Sequence, residues 1–140
     1  MMKHSFMQRF AAAILAIVAT FSTTLPSAAQ NLADETIAFY EAYIGTQDLY
    51  NSRGVRLSTA QQVLRQDRAN VHKFGIWQPG DQLDPIFNTV ANREVMAKVM
   101  ARNGLDPEVA RQILRGNVMV YVEVWGHGNT ITAIVVDTSY

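Results

Sequence analysis

The sequence predicts an α+β fold in which four to five helices pack on a C-terminal antiparallel β-hairpin. Two β-branched runs, Val118–Trp125 and Thr130–Asp137, flank the turn Gly126–Asn129, and a Gly/Asn-rich turn between such runs is typical of a hairpin. Segments with helical spacing and capping residues precede it. Because this hairpin is apolar on nearly both faces and a lone hairpin is marginal in water, we expect helices or a second copy of the chain to cover it.

The first 29 residues have the organisation of a secretory signal peptide. Lys3 and Arg9 give a positive start, an apolar run of 12 residues spans Phe10–Phe21, and Ser27–Ala29 supplies the small residues that an export peptidase recognises. That run is too short for a membrane anchor, which needs about 20 apolar residues. We therefore expect cleavage after Ala29 and a soluble exported product, periplasmic or secreted, with no later transmembrane span.

Residues 30–140 have the size of one small domain. The chain contains no cysteine, so disulfides cannot stabilise it and it cannot be a lipoprotein that carries its lipid on an N-terminal cysteine. The whole chain has 12 basic and 12 acidic side chains. Removal of Lys3 and Arg9 with the leader leaves 10 basic against 12 acidic side chains, a net charge of −2, which does not suggest a nucleic-acid partner.

The first predicted helix covers Asp34–Ile44, where apolar residues recur at helical spacing and Gly45 stands at the position of a left-handed C-terminal cap. A further short turn is expected within Thr46–Ser52. The segment Val55–Leu57 is a candidate short strand, and we expect it to be the third partner of the hairpin.

The clearest predicted helix opens at Ser58 and runs to about Lys73. Ser58 and Gln61 match a capping box, in which each side chain bonds the backbone N–H of the other residue. At 100° per residue, one stripe of this helix is apolar, and it consists of Ala60, Val63, Leu64, Val71 and Phe74.

A loop over Gly75–Gln82 precedes two helices that share a start signal, aspartate followed by proline. The first is expected to begin at Asp84 and to kink or restart at Asn92–Glu94, where polar residues interrupt its apolar face. The second begins at Asp106 and ends at Gly116. The short connection between helices 93–103 and 107–115 predicts a helical hairpin. Its resemblance to a DNA-binding helix-turn-helix is outweighed by export and by the acidic net charge.

Asp67 lies in the middle of the apolar stripe, so its carboxylate must be paired or kept neutral by a raised pKa. We expect a structural bond to an arginine such as Arg56, to a tyrosine, or to the backbone of the loop before the helix. The functional alternative is a general acid or base in a dry site.

Arg65, Arg68 and His72 form a polar stripe beside Asp67, and Trp77 follows in the next loop. Arginines present fork-shaped donors that suit carboxylate or phosphate, and exposed aromatics are frequent at interfaces. These four residues are the candidate site for a ligand or a partner. The alternative is a solvated helix face with Trp77 as a lid on the core.

No motif in the chain indicates a catalytic, metal or cofactor site. His127 stands at the hairpin tip, but no histidine or cysteine pair has the spacing of metal ligands. Nucleophile elbows and phosphate-binding loops are absent as well. Four residues could line an adaptable apolar groove but are assigned to the core: Met96, Met100, Met119 and Tyr121.

Three functional hypotheses follow from these observations. The leading one is an exported, non-enzymatic small envelope protein that binds a protein partner or an anionic envelope component through the polar helix face; an inhibitor acting through the hairpin tip is a special case. The second is a small envelope hydrolase that uses Asp67, His72 or His127. The third is a structural or assembly module that forms a homodimer through the C-terminal hairpin.

Overall fold

A three-stranded antiparallel sheet organises residues 33–139, the part of the chain that the computed structural model describes. Its strands, in spatial order, are β1 (Glu35–Ile44), β2 (Val118–His127) and β3 (Thr130–Ser139). The predicted α+β class and the C-terminal hairpin are therefore confirmed. The expected leader lies outside the described residues, and those residues fall within one compact unit, Asn31–Tyr140.

The prediction of a helix over Asp34–Ile44 is wrong, because this segment is strand β1. Its buried residues alternate with exposed ones, and Tyr40 pairs with Val122 of β2 while Phe39 pairs with Glu123. Tyr40 and Ile44 fit both a helical and an alternating pattern, and pairing with the central strand decides between the two. Residues Val55–Leu57 do not join the sheet, since only Arg56 bridges to Tyr50.

Three α-helices are formed within the described residues, fewer than expected: α1 (Ala60–Ala69), α2 (Val90–Asn103) and α3 (Pro107–Arg115). The α1 helix continues as a π-helical turn over Asn70–Phe74. Its capping box is displaced by one residue from the expected pair, because Thr59 is the N-cap and its side chain exchanges bonds with Gln62.

Asp84 begins a turn rather than a helix. Its carboxylate accepts hydrogen bonds from the backbone N–H groups of Ile86 and Phe87, and α2 starts only at Val90 with Thr89 as N-cap. The expected kink at Asn92–Glu94 is absent. The side chain of Arg93 turns back to the Phe87 carbonyl oxygen, and Asn92 turns back to that of Ile86. These polar groups bond the preceding turn, so the helix passes through them unbroken.

The α3 helix begins as predicted, with Asp106 as N-cap and proline at its first position. The predicted helical hairpin does not form, because α1 packs against both α2 and α3 while those two helices contact each other only slightly. Within residues 33–139 no helix has both the length and the apolarity to cross a membrane.

The helices cover one face of the sheet and leave the other exposed. Buried strand residues from all three strands meet the helices in one core: Ala38, Tyr40, Ala42, Ile44, Val120, Val122, Val124, Ile131, Ile134 and Val136. Met96 and Met100 of α2 lie in the same core, as expected, with no exposed surface. Met119 and Tyr121 point to the opposite face, because they alternate with the buried residues of β2.

Candidate functional site

The predicted polar stripe on α1 is divided between the interior and the surface. Arg68 has no exposed surface, whereas Trp77 is 48% exposed and Arg65 lies on the surface. His72 is largely buried, with only 6% of its side chain exposed. The four candidate residues therefore do not form one exposed binding face. Arg68 and His72 belong to a buried polar cluster and Arg65 lines a surface groove, whereas Trp77 belongs to neither.

The buried cluster is centred on the Arg68 guanidinium. Its Nε donates to Asp67 Oδ2 at 2.7 Å, and its Nη1 donates to Asp84 Oδ2 at 3.1 Å and to the Gln82 carbonyl oxygen at 2.8 Å. The plane of the Tyr40 ring lies below it, 4.2 Å from the guanidinium carbon to the ring centre. Asp67 is thus paired with the arginine next to it in sequence, and not with Arg56.

His72 belongs to the same cluster through Asp84. The His72 Nε2 lies 2.7 Å from Asp84 Oδ2, so this oxygen serves both His72 and Arg68. These bonds, together with the backbone N–H of Phe87, outweigh burial and lower the pKa of Asp84. Asp84 is therefore the ionised partner of Arg68, and it also ties α1 to the turn before α2.

Asp67 behaves in the opposite way. Burial raises its pKa to about 7 despite the favourable charge and hydrogen bond of Arg68. One arginine cannot neutralise two buried carboxylates, and Asp84 already occupies Nη1. In addition, Asp67 Oδ1 is buried without a hydrogen-bond partner among the described residues, which penalises the ionised form most strongly. Asp67 is consequently neutral in mildly acidic solution.

A second polar network joins the loop Gly75–Gln82 to the edge of β1. The backbone N–H of Tyr43 donates to Asp81 Oδ1 at 2.9 Å, and the backbone N–H of Gln82 donates to the Glu41 carbonyl oxygen at 2.9 Å. The side-chain oxygen of Gln82 accepts a hydrogen bond from the Glu41 backbone N–H. This loop thus supplies partners to an edge strand that would otherwise present open backbone groups.

His127 is separate from the buried cluster. Its Nδ1 lies 2.8 Å from Asp34 Oδ1, and the other carboxylate oxygen of Asp34 accepts a bond from Thr132. No hydrogen bond among residues 33–139 connects His127 with His72 or Asp67. No group of three or more metal-binding side chains occurs among those residues either.

A cationic groove is lined by residues of α1, of the π-helical turn that continues it and of the start of α2. It encloses about 350 Å³, and its charged side chains are Arg65, Lys73 and Arg93. No carboxylate lines it; its remaining lining residues are Asn51, Ser52, Leu57, Gln62, Gln66, Ala69, Phe74 and Val90. The volume falls in the range of small-ligand sites.

The charges in the cationic groove are poorly compensated. Arg65 pairs with Glu94 at 3.6 Å, but both side chains are about half exposed, and such a pair contributes little. Neither Lys73 nor Arg93 forms a salt bridge with a described carboxylate. Burial lowers the pKa of Arg93 most, and the positive charge of Arg65 lowers it further. The negative charge of Asp84 acts in the opposite direction.

Lys73 and Arg93 are the residues that the sequence did not identify as part of a site. The sequence did hold a signal for Arg93, since it interrupts the apolar face of α2. A charged residue at such a position needs a partner, and for the Arg93 side chain the only described hydrogen-bond partner is the Phe87 carbonyl oxygen, 2.8 Å from Nη1.

Comparisons with family models, curated proteins and solved structures found no match to this chain.

Proposed function

We propose that the protein is an exported, non-enzymatic envelope protein that holds an anionic group in the cationic groove. The observation that carries this proposal is Arg93. It is only 4% exposed, and within residues 33–139 it forms no salt bridge with a carboxylate, while the repulsion of Arg65 exceeds the attraction of Asp84. A buried cation without a salt-bridge partner is costly, and a bound carboxylate or phosphate would relieve that cost.

The surroundings of Arg93 favour the same interpretation. Arg65 and Lys73 add two further cations, and Gln62, Gln66 and Ser52 add neutral side chains able to donate hydrogen bonds. Arginine matches the planar geometry of carboxylate and phosphate, while lysine acts as a compact point charge. The buried cluster supports the groove from behind, because Arg68 and Asp84 fix α1 against the turn that leads into α2.

Calorimetric titration of the protein with inorganic pyrophosphate, and separately with citrate, tests this proposal and distinguishes phosphate from carboxylate preference. We expect saturable binding that weakens as salt concentration rises. Lys73→Gln should weaken binding about tenfold or more, which corresponds to the loss of one charge-assisted hydrogen bond.

The matched control is Lys98→Gln, which removes the same charge from an exposed position on α2 outside the groove. It should leave the affinity unchanged. Failure of both anions to bind, or equal weakening by the two lysine variants, would contradict the proposed site.

Export has its own test. The leader hypothesis places the mature N-terminus at Gln30, immediately after the small residues Ser27–Ala29. N-terminal sequencing of the protein recovered from an envelope or culture fraction should begin at that residue. Recovery of chains that still begin at Met1 would contradict export by cleavage.

The hydrolase and assembly hypotheses find less support. Asp67 and His72 are joined to one buried cluster, whereas His127 is held by Asp34, so the described residues do not bring the three groups together. Dimerisation through the hairpin is disfavoured by the acidic residues on the exposed face of the sheet, Glu41, Glu123 and Asp137.

A further inference from the structure

The face of the sheet turned away from the helices carries a mixed aromatic and acidic surface, here called the outer face. Its residues alternate with the buried ones along the three strands: Phe39, Glu41, Tyr121, Glu123, Trp125, Val135 and Asp137. Phe39 and Val135 are 49% and 47% exposed. Large apolar side chains in such a continuous patch indicate an interaction surface more often than an ordinary solvated face.

The outer face has a uniform charge. None of the three strands contains a lysine or an arginine, whereas Glu41, Glu123 and Asp137 all point outward. None of these three carboxylates forms a salt bridge with another described residue. The basic side chains within residues 33–139 lie instead on the helices and loops.

Glu123 occupies the centre of this surface. It lies on the middle strand, directly between Phe39 of β1 and Val135 of β3. Tyr121 and Trp125 are its neighbours on the same face of β2, and the Trp125 indole Nε1 donates to a Glu123 carboxylate oxygen at 3.3 Å. One carboxylate is thus held in place with aromatic rings around it, and this arrangement matches the head group of arginine or lysine.

Charge also distinguishes between the occupants that could cover the outer face. In a symmetric pair of copies the same patch contacts itself. Glu41, Glu123 and Asp137 would then meet the same acids of the second copy across an apolar interface, and like charges at an interface are strongly unfavourable. A cationic partner removes this repulsion.

We propose that the outer face binds a basic segment of another protein, with an arginine or lysine side chain on Glu123 between Trp125 and Phe39. The aliphatic part of the basic side chain packs on the rings while its charged end reaches the carboxylate. This site is separate from the cationic groove, which lies on the helical side, and it does not depend on anion binding there.

Fluorescence titration with a hexa-arginine peptide tests the proposal. In a Trp77→Phe background Trp125 is the remaining tryptophan of the chain, so its emission reports on the outer face directly. We expect saturable quenching or a spectral shift, and Glu123→Gln should weaken binding at least fivefold. Glu108→Gln, which removes the same charge from α3, should leave both the affinity and the spectral change intact.

Three results would overturn the inference. They are an absence of peptide binding, equal weakening by Glu123→Gln and Glu108→Gln, and sedimentation showing that the protein alone dimerises with loss of the Trp125 signal. The test remains separate from that of the cationic groove. Lys73→Gln, which alters the cationic groove, should bind the peptide at least as tightly as the parent protein, and weaker binding by this variant would assign the peptide effect to another surface.

Discussion

Replacing Asp67 with asparagine should change how the stability of the protein depends on pH. Asn has nearly the shape of a protonated carboxyl group and cannot ionise. The native Asp67 has a pKa of about 7 against an ordinary value of 3.8. The folded state therefore retains a proton that the unfolded chain loses between these two values. Its stabilising contribution is complete below about pH 4 and is lost as the pH rises towards 7.

The size of the effect follows from the width of that window. One pH unit of differential protonation corresponds to about 1.4 kcal/mol, so the window of about three units gives a loss on the order of 4 kcal/mol in the wild type. Asp67→Asn lacks this loss. The free energy of unfolding of the variant minus that of the wild type should therefore increase from pH 4 to pH 8, by nearly that full amount.

Urea unfolding of both proteins, followed by tryptophan fluorescence at several pH values between about 4 and 8, measures this difference. Subtracting the two free energies of unfolding at each pH cancels groups that titrate identically in both proteins, including Asp84. A constant difference would show that Asp67 has an ordinary pKa. A difference that favours the wild type increasingly as the pH rises would show that the Arg68 ion pair, and not burial, controls this carboxyl group.

Three further substitutions test the assigned contacts by chemical denaturation. Thr59→Ala should cost about 1 kcal/mol because it removes the N-cap of α1, while Ser58→Ala should cost much less. Gly126→Ala should cost about 2 kcal/mol or more, since its Cβ would lie 1.9 Å from the Thr130 carbonyl oxygen; Gly128→Ala, which has open space around it, should cost about 1 kcal/mol. Tyr40→Phe should leave stability unchanged or raise it, because the Tyr40 hydroxyl is buried without a hydrogen-bond partner among residues 33–139; a loss of more than about 1 kcal/mol would reveal a hydrogen bond at that hydroxyl.

The elements that could be predicted from the sequence are those specified locally. The hairpin turn and the Asp106 cap each contain their own signal; the Asp106 cap forms as predicted, and the turn expected over Gly126–Asn129 is narrowed to Gly128 and Asn129 because Gly126 and His127 still pair with β3. Strand β1 was mistaken for a helix because Ile37, Tyr40 and Ile44 recur at helical spacing, and two of them, Tyr40 and Ile44, also fit the alternation of a strand. Its identity depends on pairing with a strand about 80 residues later in the chain, and local propensity does not contain that information.

The candidate site shows the same division. Burial of Asp67 followed from its position on an apolar stripe, and the structure confirms it. Burial of Arg68 could not be predicted, because helical geometry places its Cα beside the apolar stripe. Its long side chain nevertheless turns back into the interior. The groove formed with Arg93 depends on how α1 meets α2, which requires the tertiary arrangement.

The bonds from the loop Gly75–Gln82 to Tyr43 and Glu41 also bear on strand pairing between copies of this protein. Strand addition is a common start of amyloid-like growth. On β1 the N–H groups of Tyr43 and Glu41 already donate to the side chains of Asp81 and Gln82, and the Glu41 carbonyl oxygen already accepts from the Gln82 N–H. Weakening that cover would cost little in folding energy yet would open a template for polymerisation. Changes in this loop should therefore appear first as shortened shelf life at high concentration, before any change in melting temperature.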